Sequence, residues 1–131
     1  MVVWGGKNGF RSALADGAIL DSRTWEWTLI PSFLPEGERG RFFHGATVSD
    51  TGLYIFGGES GLKDFKASVL KFDWLTDDPS QQSWTVVPTD TQPIGRKWHT
   101  QLSLPQGLLI WGGYGANETY LPTGALLRNL D

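Results

Sequence analysis

Short apolar runs, each closed by a turn-forming residue, recur along this 131-residue chain. Three of them end on paired glycines: Val2-Val3-Trp4 before Gly5-Gly6, Leu53-Tyr54-Ile55-Phe56 before Gly57-Gly58, and Leu108-Leu109-Ile110-Trp111 before Gly112-Gly113. Runs this short, rich in β-branched and aromatic residues and bounded by glycine, predict strands rather than helices. The glycine pairs are 52 and 55 residues apart, and self-similarity at such a spacing marks a repeat architecture.

Other offsets recur with the glycines. Gly-Arg-x-x-His precedes the second and third pairs, as Gly40, Arg41 and His44, then Gly95, Arg96 and His99. Each histidine lies 13 residues ahead of the first glycine of its pair. After the first two pairs an aspartate follows 15 residues beyond the second glycine, at Asp21 and Asp73. Trp27 and Trp84 then open the runs Trp-Thr-Leu-Ile-Pro and Trp-Thr-Val-Val-Pro. The aspartate-to-tryptophan distance is 6 in one copy and 11 in the other. The five extra residues fall in the stretch 75–83, where lengthening a loop costs little. The unit is a histidine strand, a Gly-Gly strand, a strand to Asp and a Trp strand, which is one blade of a β-propeller.

This pattern resembles the kelch repeat, whose marks are the paired glycines, the Arg and His ahead of them and the later Trp. The resemblance covers nearly the whole chain and implies an all-β, kelch-type propeller segment of four-stranded antiparallel blades. The expected blades are a partial one over 1–31 (its second to fourth strands), a complete one over 40–88 and a partial one over 95–131 (its first to third strands). Strands are expected at 2–4, 18–21 and 26–30, at 44–49, 53–56, 68–72 and 84–87, and at 99–104, 108–111 and 125–130. Asp131 matches Asp21 and Asp73 with a three-residue longer loop. Leu62, Phe65, Val69 and Phe72 also fit a helical stripe. The same offset in the first copy carries Asp16-Gly17, which reads poorly as helix, so the strand is preferred. Propellers close with roughly 4–8 blades, so these strands make an incomplete ring. The missing neighbours are expected either as further blades of a longer chain or through self-association.

Composition agrees and narrows the function. Glycine is 17 of 131 and tryptophan 7, with no cysteine. Without cysteine there is no disulfide, thiol chemistry or cysteine zinc site. A net charge of −3 argues against nucleic acid or an anionic membrane as a partner drawn by bulk charge. No run is long and apolar enough for a membrane span, and no secretory signal is read, which leaves the compartment open with the cytoplasm favoured.

Every recurrent polar residue has a structural reading. Gly5, Gly6, Gly57, Gly58, Gly112 and Gly113 suit sharp turns at positive φ. The resemblance implies that Arg41, His44, Arg96 and His99 bond neighbouring loops and blades. Trp27 and Trp84 are expected between stacked blades, and Asp21 and Asp73 at strand-end turns. Two histidines on separate blades fall short of the three or four ligands a metal needs. No catalytic residue, cofactor or metal site is therefore expected. The resemblance implies a protein-interaction module whose partner meets the loops after the glycine pairs and between blades. The candidate contacts are Lys7, Arg11, Glu38, Arg39, Glu59, Lys63, Tyr114, Asn117 and Tyr120. Asn117-Glu118-Thr119 also fits the N-glycosylation pattern. The alternative is a non-catalytic portion of a galactose-oxidase-like copper enzyme or of another enzyme on this fold. With no cysteine, the chain cannot carry that oxidase's cross-linked cofactor complete.

Overall fold

The computed structural model describes residues 1–9, 12–61, 63–74, 82–128 and 130. Arg11, Leu62, most of the expected insertion at 75–83 and Asp131 fall outside the described residues. Three antiparallel sheets carry the architecture. The first joins Val2–Trp4, Gly17–Asp21 and Glu26–Ile30 in that order. The second is four-stranded, in sequence order Gly45–Val48, Gly52–Phe56, Val69–Asp73 and Trp84–Val87. The third joins Thr100–Leu104, Gly107–Trp111 and Gly124–Leu127. Val69–Asp73 pairs along its length with Gly52–Phe56, so the helical stripe is not used. The described residues contain no helix and form no closed ring.

Strand alternation fixes what the sheets bury. Successive side chains point to opposite faces, so a strand between two neighbouring sheets must be apolar at every position. All five residues of Gly52–Phe56 are buried. Leu53 and Ile55 face the first sheet, where they meet Trp4, Ile30, Leu70, Phe72 and Trp84. Tyr54 and Phe56 face the third, where they meet Val69, Val87, Leu108, Ile110 and Leu127. The core is therefore two seams, one on each side of the central sheet. Fully burying one such side chain contributes roughly 1.5–3 kcal/mol.

Trp27 corrects an expectation. Trp84 is buried in the first seam, but its counterpart Trp27 is 52% exposed. Trp84 points to the preceding sheet, and no described sheet precedes the first. Val3 and Leu29 share the open face with Trp27, and the far face of the third sheet exposes Leu102 and Trp111.

Four two-residue strands were not expected from the sequence. Lys7–Asn8 pairs with Ser12–Ala13, and Arg96–Lys97 pairs with Tyr114–Gly115, just beyond the glycine turns. They continue the pairing past the first and third glycine pairs, as isolated bridges at Glu59 do past the second, and build the loop face on which the candidate site lies.

Two outcomes follow. The 131-residue chain self-associates through its open apolar faces; a sharp monomeric peak in light scattering with a cooperative melt would refute this. The glycines supply an internal control. Gly57 and Gly112 share a φ of 74° and 72°, but a methyl on Gly57 would lie 2.5 Å from the Arg96 carbonyl oxygen, whereas at Gly112 the nearest atom is 3.9 Å away. Both alanine variants carry the backbone strain, and Gly57→Ala should be the less stable by about 1–3 kcal/mol in urea titration.

Candidate protein-interaction face

The loop face starts from the clasp that holds one sheet to the next. The Gly6 amide donates to the Arg41 carbonyl at 2.7 Å, and the Gly58 amide donates to the Arg96 carbonyl at 2.8 Å. Two consecutive residues at positive φ turn these amides out of the strand, a conformation that glycine adopts without steric cost. Each arginine then reaches back into its own sheet. Arg41 Nη1 donates to the carbonyls of Gly57 at 3.2 Å and Ser68 at 2.9 Å. Arg96 Nη1 does the same to Gly112 at 3.1 Å and Thr123 at 2.9 Å. A planar guanidinium suits several fixed carbonyls at once. Both arginines are buried, and desolvation holds both below the usual arginine range.

His44 lies against Gly5 and edge-on to Trp4, with ring centroids 5.2 Å apart. His99 lies against Gly57 and edge-on to Phe56 at 5.3 Å. Each fills its own seam, and the Nδ1 of each is buried without a hydrogen-bond partner among the described residues. Burial, followed by the charge of Arg41, pushes His44 down to about 4. Burial lowers His99 as well. Asp21 accepts from the Arg23 amide at 2.9 Å within its strand-end turn. Among the described residues, no three His, Asp or Glu side chains are grouped to hold a metal ion.

Above the clasp, aromatic side chains gather between the second and third sheets. Phe43 and Trp98 hold the same motif position, two residues after the arginine, and both adopt left-handed backbone with φ of 59° and 61°. That conformation costs a bulky residue about 1–3 kcal/mol. The Trp98 amide donates to the Phe43 carbonyl at 3.2 Å, linking the two positions directly. Their ring centroids are 5.5 Å apart, with Tyr114 6.0 Å from Trp98 and Tyr120 5.2 Å from Tyr114. Trp98 and Tyr120 remain 55% and 77% exposed. A cleft of about 450 Å³ opens here, lined by Glu59, Lys63, Phe65, Lys97, Glu118 and the rings of Trp98, Tyr114 and Tyr120. Lys97 pairs with Glu59, and Lys63 with Glu118. The second pairing lowers the Glu118 carboxyl and raises the Lys63 ammonium.

A sequence profile of the KLHDC2/KLHL20/DRC7 Kelch-repeats domain matches residues 1–121. The chain belongs to the kelch-repeat family. Kelch domain-containing protein 3 from Homo sapiens and from Bos taurus are each 32% identical to it over 106 residues, covering 74% of this chain and 26% of the relative. The chain thus spans about a quarter of the length of the curated relatives it matches. With three antiparallel sheets and no closed ring, the described structure is that of a partial kelch propeller.

The candidate contact residues fall into separate groups on this kelch segment. Glu59, Lys63, Tyr114 and Tyr120 meet at the cleft, and Lys7 lies over the Phe42 and Phe43 rings beside it. Glu38 corrects an expectation. The structure pairs its carboxylate with Arg41 Nη2 at 3.0 Å, an interaction the loop reading did not anticipate. Arg39 is exposed on the interblade segment. Asn117 is exposed in a turn where its Oδ1 accepts from the Thr119 hydroxyl at 2.8 Å, and it does not line the cleft. Sequence reading missed Phe43, Phe65, Lys97 and Trp98. The signal available for three of them was chemical: the two variable positions of Gly-Arg-x-x-His are Phe-Phe in one copy and Lys-Trp in the other.

The buried histidines give a pH dependence. Burial makes both harder to protonate in the folded chain, His44 down to about 4, whereas an unfolded histidine takes up a proton near 6.5. The unfolded chain therefore binds more protons below that pH, and stability falls as pH is lowered. The loss begins near 6.5 and levels off near 4 for His44, at up to about 1.4 kcal/mol per pH unit for each histidine. Urea midpoints at pH 7.5 and pH 5 measure it, and the slope should flatten in the variant carrying His44→Phe and His99→Phe.

Proposed function

We propose that this chain is a non-catalytic protein-interaction segment, one part of a larger kelch ring, and that its partner docks on the aromatic loop face. Kelch-type modules are generally involved in protein interaction, and the finer reading rests on how the side chains are used. The side chains of Arg41 and Arg96 are consumed within their own sheets, and His44 and His99 fill the seams. The aromatic residues are placed differently. Phe43 and Trp98 stay exposed although left-handed backbone is costly for rings of that size, and Tyr114 and Tyr120 extend the same surface. Strain held at a display position is the single observation that carries the reading. Exposed Trp and Tyr, with one apolar body and one polar edge, are the residues most enriched where proteins meet.

The ring reading has its own support. A methyl on Gly5 or Gly57 would strike the next blade's arginine carbonyl and histidine, while the same space at Gly112 is open. Among the described residues no carbonyl takes the Gly113 amide as Arg41 and Arg96 take those of Gly6 and Gly58. A further blade carrying Gly-Arg-x-x-His fits that edge.

The test compares two ends of the strands. In photo-crosslinking from the loop face, the Trp98→Ala, Tyr120→Ala double variant should lose its crosslinked protein at least about tenfold. Asp50→Ala, at the opposite end of the strands, should keep it. Equal loss in both variants, or none in either, would place the partner elsewhere. Stoichiometric copper or iron in the purified protein, with alcohol oxidation, would sink the non-catalytic reading.

A further inference from the structure

Each seam is made by the same backbone bonds, from a glycine amide to an arginine carbonyl. Identical bonds cannot tell one blade from another. The residues that differ at the same contact can. They are the residue after each glycine pair (Lys7, Glu59 and Tyr114) and the two residues after each motif arginine (Phe42-Phe43 and Lys97-Trp98).

The two seams use these positions with opposite polarity. At the first, the loop residue is the cation: the Lys7 ammonium lies 5.3 Å from the Phe42 ring centroid and 4.8 Å from that of Phe43. At the second, the loop residue is the anion. The Glu59 carboxylate pairs with Lys97, and both side chains are largely buried. The same ammonium lies 4.2 Å from the Trp98 centroid and 5.2 Å from that of Phe65.

We propose that these side chains form a matching code that fixes which blade follows which and rejects wrong pairings. If the third sheet stacked on the first, it would set Lys97 against Lys7, two cations at one contact. If the second sheet stacked on the second sheet of another copy, it would set the Glu59 carboxylate against the Phe42 and Phe43 ring faces, whose π clouds repel an anion. Both errors are exchanges between repeats, the characteristic misassembly of repeat proteins. The penalty falls on the alternatives and leaves the native seams untouched, which is how specificity is gained against near-identical competitors. The residue after the third glycine pair is Tyr114 rather than Lys or Glu, so no ion pair of this kind codes the edge beyond the third sheet.

Two experiments on the 131-residue protein test the two halves of the proposal. The first reads the pair. Glu59→Lys and Lys97→Glu should each lower the folding equilibrium constant by at least about 100-fold, because each leaves like charges at a buried contact. The variant carrying both restores the ion pair but sets a carboxylate against the Trp98 and Phe65 rings, so its loss in urea titration should be smaller than the sum of the two single losses. If the two losses simply add, the pairing is not what holds the seam. The second reads the selection. Lys7→Glu gives the first sheet the residue that Lys97 prefers. When mixed light and ¹⁵N-labelled copies of that variant are refolded together, carbodiimide should couple residue 7 of one copy to Lys97 of another. Lys7→Gln and the wild type have no carboxylate at residue 7, so they should give the Glu59–Lys97 product and nothing that joins residue 7 to Lys97. Absence of the exchanged product from Lys7→Glu overturns the code. The crosslink is read on folded protein, so a loss of stability alone cannot imitate it.

Discussion

One hydrogen bond, made twice, organises the molecule: a glycine amide at the end of one sheet donates to the carbonyl of the arginine that opens the next. It requires left-handed backbone at two successive residues to aim the amide outward, and glycine at the first to let the neighbour approach. Once the two backbones are that close, the rest of the seam is constrained. The histidine ring lies on the glycine surface, edge-on to the aromatic residue that precedes the pair. The arginine side chain, its carbonyl already taken, turns inward and satisfies carbonyls of its own sheet that would otherwise be buried unpaired. The apolar seams can then form, because the clasp sets the separation at which alternating side chains interlock.

Much of this was legible in the chain because it rests on offsets. Paired glycines, the Arg-x-x-His spacing and the tryptophan run recur together, and they placed the strands of all three sheets. The four two-residue strands were not legible, because alternation needs a longer run before it can be recognised. Trp27 was misjudged for a different reason. Its burial depends on a neighbouring sheet, and the residue itself is in the same register as the buried Trp84. Glu38 looked like an ordinary loop charge, since nothing in its local sequence reveals that Arg41 turns back toward it. The aromatic face was missed where Phe43, Lys97 and Trp98 stand at positions the motif leaves variable. Positive φ at a phenylalanine or tryptophan is also invisible to propensity, which assigns that region to glycine and asparagine.

The result is a division of labour by position. The motif arginines and histidines pack inward, while the exposed rings of Phe43, Trp98 and Tyr120 lie on one face. That face combines aromatic area with ion pairs that cross the second seam, Lys97 to Glu59 and Lys63 to Glu118. On the proposed docking face, recognition and blade stacking would share side chains. A partner pressing on Trp98 and Tyr114 also presses on the rings that surround the Lys97 ammonium.

The clasp has an evolutionary corollary. Its donor lies on one blade and its acceptor on the next, so every unit carries one half of two joints. A tandem duplication of a gene segment inserts a unit that is already equipped at both borders, and blade number can change without redesigning any junction. Fresh duplicates are interchangeable, however, and would tangle with their own copies. Divergence at positions such as Lys7, Glu59 and Lys97 is what gives each unit a fixed address.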